Sequence, residues 1–329
     1  MATYKEIFGT NIEVLASDPA NPVAGQVWYN STDNLVKGAA ATTVGAWATG
    51  GNLNTARNQL TGAGVDNASA LAFGGDDPVG DVTNTESYNG ASWTEVNDLN
   101  TARRNLGGAG TQTSALAFGG FTSPPPIRRT ETESWNGTSW TEVNDLNTAR
   151  TSMGRTGADN TSVLAFGGSA APGATAITES WNGSSWTEVN DLNTARYGIR
   201  GSGTQTSTLG FGGATPSVTA ATESWNGTSW TEVNDLNTAR QAGGAAGTDN
   251  TSSLAFGGVT ATANVANTEE WDGVSWTETT DMSTARVNLG SAGIATSALG
   301  FGGDTGTATA ATEEWTGAGS PLIYTFTDS

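Results

Sequence analysis

No cysteine and no histidine occur in this 329-residue chain. The first absence excludes disulfides and thiolate metal sites. The second removes the commonest general base and metal ligand, and with them any Ser-His or Cys-His nucleophile. Positive charge is also scarce: 13 Lys and Arg stand against 32 Asp and Glu, a net charge of −19. A protein that tracks phosphates needs a basic stripe, so nucleic acid and anionic membrane surfaces are not expected partners. The acidic excess favours solubility and discourages non-specific adhesion. No run of 18 apolar residues is present, so membrane insertion is not expected. Met1-Ala-Thr-Tyr-Lys-Glu lacks the basic-then-apolar layout of a signal peptide, which points to assembly in a cytosol. Apolar residues at helical spacing are absent beyond the first 16 residues.

What is abundant is repetition. Leu-Asn-Thr-Ala-Arg occurs at Leu53–Arg57, Leu99–Arg103, Leu146–Arg150, Leu192–Arg196 and Leu236–Arg240, with a variant at Met282–Arg286. Each copy is followed by a Phe-Gly-Gly led by Phe73, Phe118, Phe166, Phe211, Phe256 or Phe301. A Thr-Glu and an aromatic pair come next. A period of this length with four short apolar runs predicts a circular array of sheets rather than a helical solenoid. The repeat also argues against two domains, because single units of this kind cannot bury their faces alone.

One copy, Arg150 to Arg196, shows the pattern. Thr151 to Ala158 is small-residue-rich, as predicted for an innermost strand where backbones crowd around a channel. A turn at Asp159–Ser162 leads to the apolar run Val163–Phe166, a central strand ended by Gly167-Gly168. After a variable loop come a third strand, Thr178–Trp181, an Asn182-Gly183 turn, and a fourth strand, Trp186–Val189. The tryptophan spacing (135/140, 181/186, 225/230, 271/276) predicts cross-strand aromatic pairs, with Tyr88 and Trp93 in the first copy. Packing between units is one use of such a stripe; stacking on sugar rings is the other.

Leu164–Gly168, Glu179, Trp181, Trp186 and Arg196 together resemble the kelch repeat, in which an apolar run ends in Gly-Gly, an aromatic follows a Glu, a Trp follows that, and an Arg opens the next copy. The resemblance covers residues 47–316. It departs in two places: Trp stands for the usual Tyr in most copies, and the hairpin is short. It implies an all-β fold, a six-bladed β-propeller with four-stranded kelch-type blades. Some kelch propellers are copper oxidases of the galactose oxidase type, but their site needs histidine and cysteine, and this chain has neither, so that activity does not carry over. Trp47 precedes Leu53 at the spacing by which Trp140 precedes Leu146, and the last copy lacks its second tryptophan. The last blade is therefore expected to be closed by the N-terminal strand around Trp47, with the tail Leu322–Phe326 as competitor.

Residues 1–46 form an N-terminal extension and residues 317–329 a C-terminal tail. Within the extension, Gly25–Thr32 and Leu35–Gly38 read as a hairpin. The stretch Gly25-Gln-Val-Trp-Tyr-Asn-Ser-Thr32, after Pro19 and Pro22, resembles segments of bacteriophage tail and appendage proteins, of the form Pro-x-x-Gly-x-x-Trp-Tyr-Asn-x-Thr. This likeness marks the extension as a candidate attachment segment and the whole as a virion structural protein. Attachment to a symmetric assembly would make it oligomeric.

Arg57, Arg103, Arg150, Arg196, Arg240 and Arg286 recur in step with Glu86, Glu133, Glu179, Glu223, Glu269 and Glu313. Structural ion pairs are one reading and an anion-binding ring the other. Asp66-Asn67, Asp159-Asn160 and Asp249-Asn250 alternate with Thr111-Gln112 and Thr204-Gln205, as a duplicated pair of blades would. This alternation reads either as a pseudo-threefold docking surface or as shared descent without a role. Glu142/Asp145, Glu188/Asp191 and Glu232/Asp235 are solvated surface rather than a dedicated calcium loop. The loop Phe121–Arg129 is longer than its counterparts and carries Pro124, Pro125, Pro126, Arg128 and Arg129, which makes these the candidate binding residues.

The function expected from these readings is non-enzymatic. It is a phage appendage recognising a host-surface glycan or protein, or another virion protein, through its loops, with no cofactor. The alternative is a bacterial intracellular interaction scaffold. A lyase or glycan hydrolase would need convergent acids in one cleft, whereas the carboxylates here are spread around the array.

Overall fold

The computed structural model describes residues 12–19, 26–41, 44–318 and 321–325. Among them the chain is all-β, without helices, and propeller-like. The helical spacing in the first residues falls largely outside the described segments. Two compact units are present: Ala46–Thr316, and residues 1–45 together with 317–329.

Ala46–Thr316 is built from six four-stranded antiparallel sheets, I to VI in chain order. In sheet III the strands are Gly154–Asp159, Ser162–Phe166, Thr178–Trp181 and Trp186–Val189, paired in that order. The first strand starts later than the small-residue run suggests. Thr151 is taken by a bridge to Ser169, and Ser152 sits at φ 55°. The glycines of the first strands answer partly to close backbone, as Gly110 does to the Ser114 carbonyl (2.2 Å from an added Cβ), and partly to aromatic crowding. A Cβ on Gly154 would lie 2.2 Å from the Phe166 ring, and one on Gly108 would lie 2.6 Å from the Phe73 ring of sheet I.

Sheet VI takes its fourth strand from the other end of the unit. Ala46–Thr49 pairs with Thr312–Thr316, with Trp47 opposite Trp315. The competing tail strand, Pro321–Thr325, pairs instead with Leu35–Ala41 in the other unit. There, Leu35–Ala41 is also the hairpin partner of Val27–Asn30, which runs parallel to Glu13–Leu15. Asp18 organises this small sheet. It accepts from Trp28 Nε1 (3.1 Å) and Asn30 Nδ2 (2.8 Å) and pairs with Lys37 Nζ (2.8 Å).

Neighbouring sheets are joined by the fourth-strand tryptophans. Each indole packs on the phenylalanine of the sheet before it: Phe73–Trp140, Phe118–Trp186, Phe166–Trp230, Phe211–Trp276, Phe256–Trp47 and Phe301–Trp93, with centroids 4.8–4.9 Å apart. Each Nε1–H also donates to a third-strand threonine of that earlier sheet, as Trp186 does to Thr132 (3.1 Å), Trp47 to Thr268 (3.0 Å) and Trp93 to Thr312 (3.0 Å). A buried indole needs such an acceptor.

Six residues just ahead of the first strands hold one another through their backbones. Asn105 N–H donates to Gln59, Ser152 to Asn105, Gly198 to Ser152, Ala242 to Gly198, Asn288 to Ala242, and Gln59 to Asn288, all at 2.8–2.9 Å. The bonds run in a cycle. All six residues have φ between 51° and 65°, a left-handed conformation that only one of them, Gly198, adopts without cost.

Candidate functional site

The recurrent Arg and Glu are brought together inside each repeat. Arg57–Glu86, Arg103–Glu133, Arg150–Glu179, Arg196–Glu223, Arg240–Glu269 and Arg286–Glu313 pair at 2.8–2.9 Å, and every one of these side chains is nearly inaccessible to water. In repeat III, Arg150 Nη1 also donates to the carbonyls of Gly167 (3.0 Å) and Ile177 (2.6 Å). The second glutamate oxygen accepts from Asn147, through both its backbone N–H and its Nδ2, each at 2.8 Å. Nδ2 also reaches the Trp186 carbonyl (3.1 Å). The Leu-Asn-Thr-Ala-Arg phrase thus encodes a buried plug, a carboxylate clamp and its counter-ion. Burial lowers the guanidinium pKa values and the paired glutamates oppose that shift, which keeps the cations charged. The Nε atoms of Arg57, Arg103, Arg150, Arg196 and Arg286 are buried and have no acceptor, so each guanidinium is engaged through its Nη atoms and closed off from the surface.

The other recurring motifs are likewise used internally. Trp135, Trp181, Trp225 and Trp271 are buried, so their faces are closed to sugars. Asn67, Asn160 and Asn250 each donate from Nδ2 to the third-strand aromatic carbonyl of the preceding sheet: Trp315, Trp135 and Trp225. Gln112 and Gln205 do the same to Tyr88 and Trp181. The asparagine sheets carry a β-bulge in their first hairpin, and the longer glutamine replaces it in sheets II and IV. The alternation is therefore a clasp with two geometries. Asp145, Asp191 and Asp235 accept from the backbone N–H of Thr132, Thr178 and Thr222, while Glu142, Glu188 and Glu232 are exposed.

Variation between repeats is concentrated in the loops after Phe-Gly-Gly. These loops bridge to the residues beside the six-residue cycle: Asn58 to Asp76, Arg104 to Phe121, Thr151 to Ser169, Tyr197 to Ala214, Gln241 to Val259 and Val287 to Asp304. Loops and cycle therefore share one end of the sheets. In loop II, Phe121–Thr122 pairs with Ile127–Arg128, and Pro124, Pro125, Pro126 and Ile127 are exposed at the tip. The two candidate arginines behave differently from the prolines. Arg128 donates from Nε to the Ser169 carbonyl (3.2 Å) and from Nη2 to Ser169 Oγ (3.1 Å). Arg129 pairs with Glu131 at 3.1 Å. Loop I is tied in too: Arg104 reaches Asp76 (2.8 Å) and Asp81 (3.1 Å), and Ser123 N–H donates to Asp81 (2.7 Å). Val79 is almost fully exposed at its tip.

Two arginines escaped notice in the sequence. Arg155 and Arg200 lie on first strands, where equivalent positions hold small residues such as Gly108, Gly201 and Ala245, or Gly107, Gly154 and Gly244. That departure from smallness was their only signal. The first strands of all six sheets line a cavity of about 270 Å³ through residues such as Gly64, Gly110, Gly157, Ser202, Ala246 and Gly293. Arg155 and Arg200 line a second, much smaller space of about 10 Å³ with Gln59, Asn105 and Ser152 of the cycle.

No family model matches this chain, and no curated protein is significantly similar to it in sequence.

Proposed function

We propose that Ala46–Thr316 is a closed, six-bladed kelch-type propeller serving as the non-enzymatic binding module of a virion appendage. It recognises a host-surface glycan or protein, or another virion protein, through the loops after Phe-Gly-Gly. One observation carries the binding reading. Most polar side chains common to all repeats are engaged internally, while variation in loop length and the exposed Val79, Pro124–Pro126 and Ile127 fall on the loops at the end that bears the cycle; Val65 and Val274 are the exposed apolar residues of the other end. The cyclic order of the Phe–Trp contacts and of the Gln59-to-Asn288 bonds supports closure and the blade count. The kelch assignment rests on the motif likeness. The virion assignment rests on the Gly25–Thr32 likeness, whose Trp28 and Asn30 are the residues that Asp18 anchors.

In loop II the prolines and Ile127 make the contact, and Arg128 and Arg129 hold the loop in shape. Purified protein is assayed for binding to host envelope fractions, to a glycan array and to particle components. Ile127→Asp is expected to abolish the interaction without lowering the melting temperature, and Arg128→Ala with Arg129→Ala to weaken it. Unchanged binding in Ile127→Asp removes the loop from the reading. Capture of soluble bacterial proteins alone favours the intracellular scaffold instead.

A further inference from the structure

Every recurrent arginine in Ala46–Thr316 has a carboxylate, Arg104 and Arg129 have theirs, and Arg128, without one, is held by Ser169. Arg155 and Arg200 have none among the described residues. The chain carries 32 acidic residues, so a carboxylate is not in short supply. Arg200 donates from Nε to the Gly243 carbonyl, and the remaining donors of both guanidinium groups have no protein acceptor there. Both side chains are half-buried. Desolvation pushes Arg155 down to about 10 and Arg200 well below its ordinary value, the latter aided by the charge of Arg155. Two neighbouring cations, partly withdrawn from water and without a counter-charge, repel each other and favour an anion between them.

We infer that the space enclosed by Arg155, Arg200, Gln59, Asn105 and Ser152 holds a small monovalent inorganic anion of the size class of chloride. Its volume of about 10 Å³ limits the occupant. It admits about one water-sized body, so sulfate, phosphate and sugar acids are too large. The anion supplies the charge that both guanidinium groups lack and ties sheets III and IV, which carry them, to the cycle residues of sheets I and II. The inference stands on these first strands alone and is independent of what the loops recognise.

The thermal midpoint is measured at constant ionic strength in sodium bromide, chloride, sulfate and gluconate, for the unmodified protein and for Arg155→Met/Arg200→Met. Bromide and chloride are expected to raise the midpoint by roughly 2 °C or more over gluconate. Sulfate stabilises both proteins alike through its exclusion from the surface, whereas the halide gain is expected in the unmodified protein and not in the double variant. Crystals of the unmodified protein grown in bromide supply a readout that does not depend on the variant folding, with an anomalous peak expected between the two guanidinium groups. Bromide on the outer surface only, a sulfate gain that the double variant loses as fully as it loses the bromide gain, or a halide response retained in the double variant would overturn the assignment.

Discussion

Individual residues in this chain are mostly explained by the one partner each was placed to meet. Arg150 is wholly buried against Glu179, so Arg150→Ala strands a carboxylate and is expected to cost about 3–5 kcal/mol, read from the denaturant midpoint. A midpoint unchanged by this substitution would mean that the pair contributes nothing net. Ser283 shows the converse. It holds Glu313 through its backbone N–H alone (2.7 Å), where the other repeats add an asparagine Nδ2. Ser283→Asn is expected to stabilise by about 1 kcal/mol in the same assay. Asp18 in the smaller unit has its pKa lowered from 3.8 to about 2, chiefly by its bonds to Lys37, Asn30 and Trp28. A depressed carboxylate stabilises fully above its unfolded value and loses that contribution as pH falls through its folded one. The smaller unit is therefore expected to hold its structure down to pH 4 and loosen towards pH 2, followed by the Trp28 indole N–H resonance. A midpoint near 4 would contradict the Asp18 anchor.

At the scale of elements, the sequence marks the third and fourth strands to the residue, because Trp-to-Trp spacing fixes a hairpin and its register together: Trp181 faces Trp186 as the interval requires. The first strand was less legible. Its small residues record contacts with Phe rings and with the neighbouring sheet, which no local pattern announces, and the cycle residues look ordinary because positive φ leaves no mark on Gln59 or Ser152. Arg155 and Arg200 were missed for a related reason: their meaning lies in the absence of a partner. Tyr88, where most copies have Trp, became intelligible only from its neighbour. Its hydroxyl donates to Glu314, across the junction between sheets I and VI, and burial with that bond raises its pKa to about 12. Tyr88→Phe is expected to weaken that junction by about 1 kcal/mol, with Ser134→Ala, which removes an acceptor of Asn160 Nδ2 (3.0 Å) between sheets II and III, as the comparison. Equal effects would mean that the junction is not specially keyed.

For the whole molecule, the strand Ala46–Thr49 is the decisive one. A chain beginning at Ala46 is expected to keep the six sheets. One beginning at Gly51 leaves Thr312–Thr316 as an open edge and strips Trp47 from Phe256, so it is expected to melt several degrees lower and to self-associate, read by scanning calorimetry and size-exclusion chromatography. Retention of the unshortened chain's elution volume and midpoint would argue against this strand as the sixth sheet's support. The same strand solves a counting problem. Thr132–Arg150 and Thr222–Arg240 are identical in sequence, so nothing local tells a hairpin which position it occupies or how many copies should precede it. Ala46–Thr49 is the one fourth strand that lacks the Trp-Thr-Glu signature, and it is spent before any repeat is complete. An array of interchangeable parts thus carries its own full stop at the beginning of the sentence. A chain with a repeat duplicated or deleted still presents that strand once, and must either bring it to the last sheet across a changed number of copies or leave one edge unsatisfied.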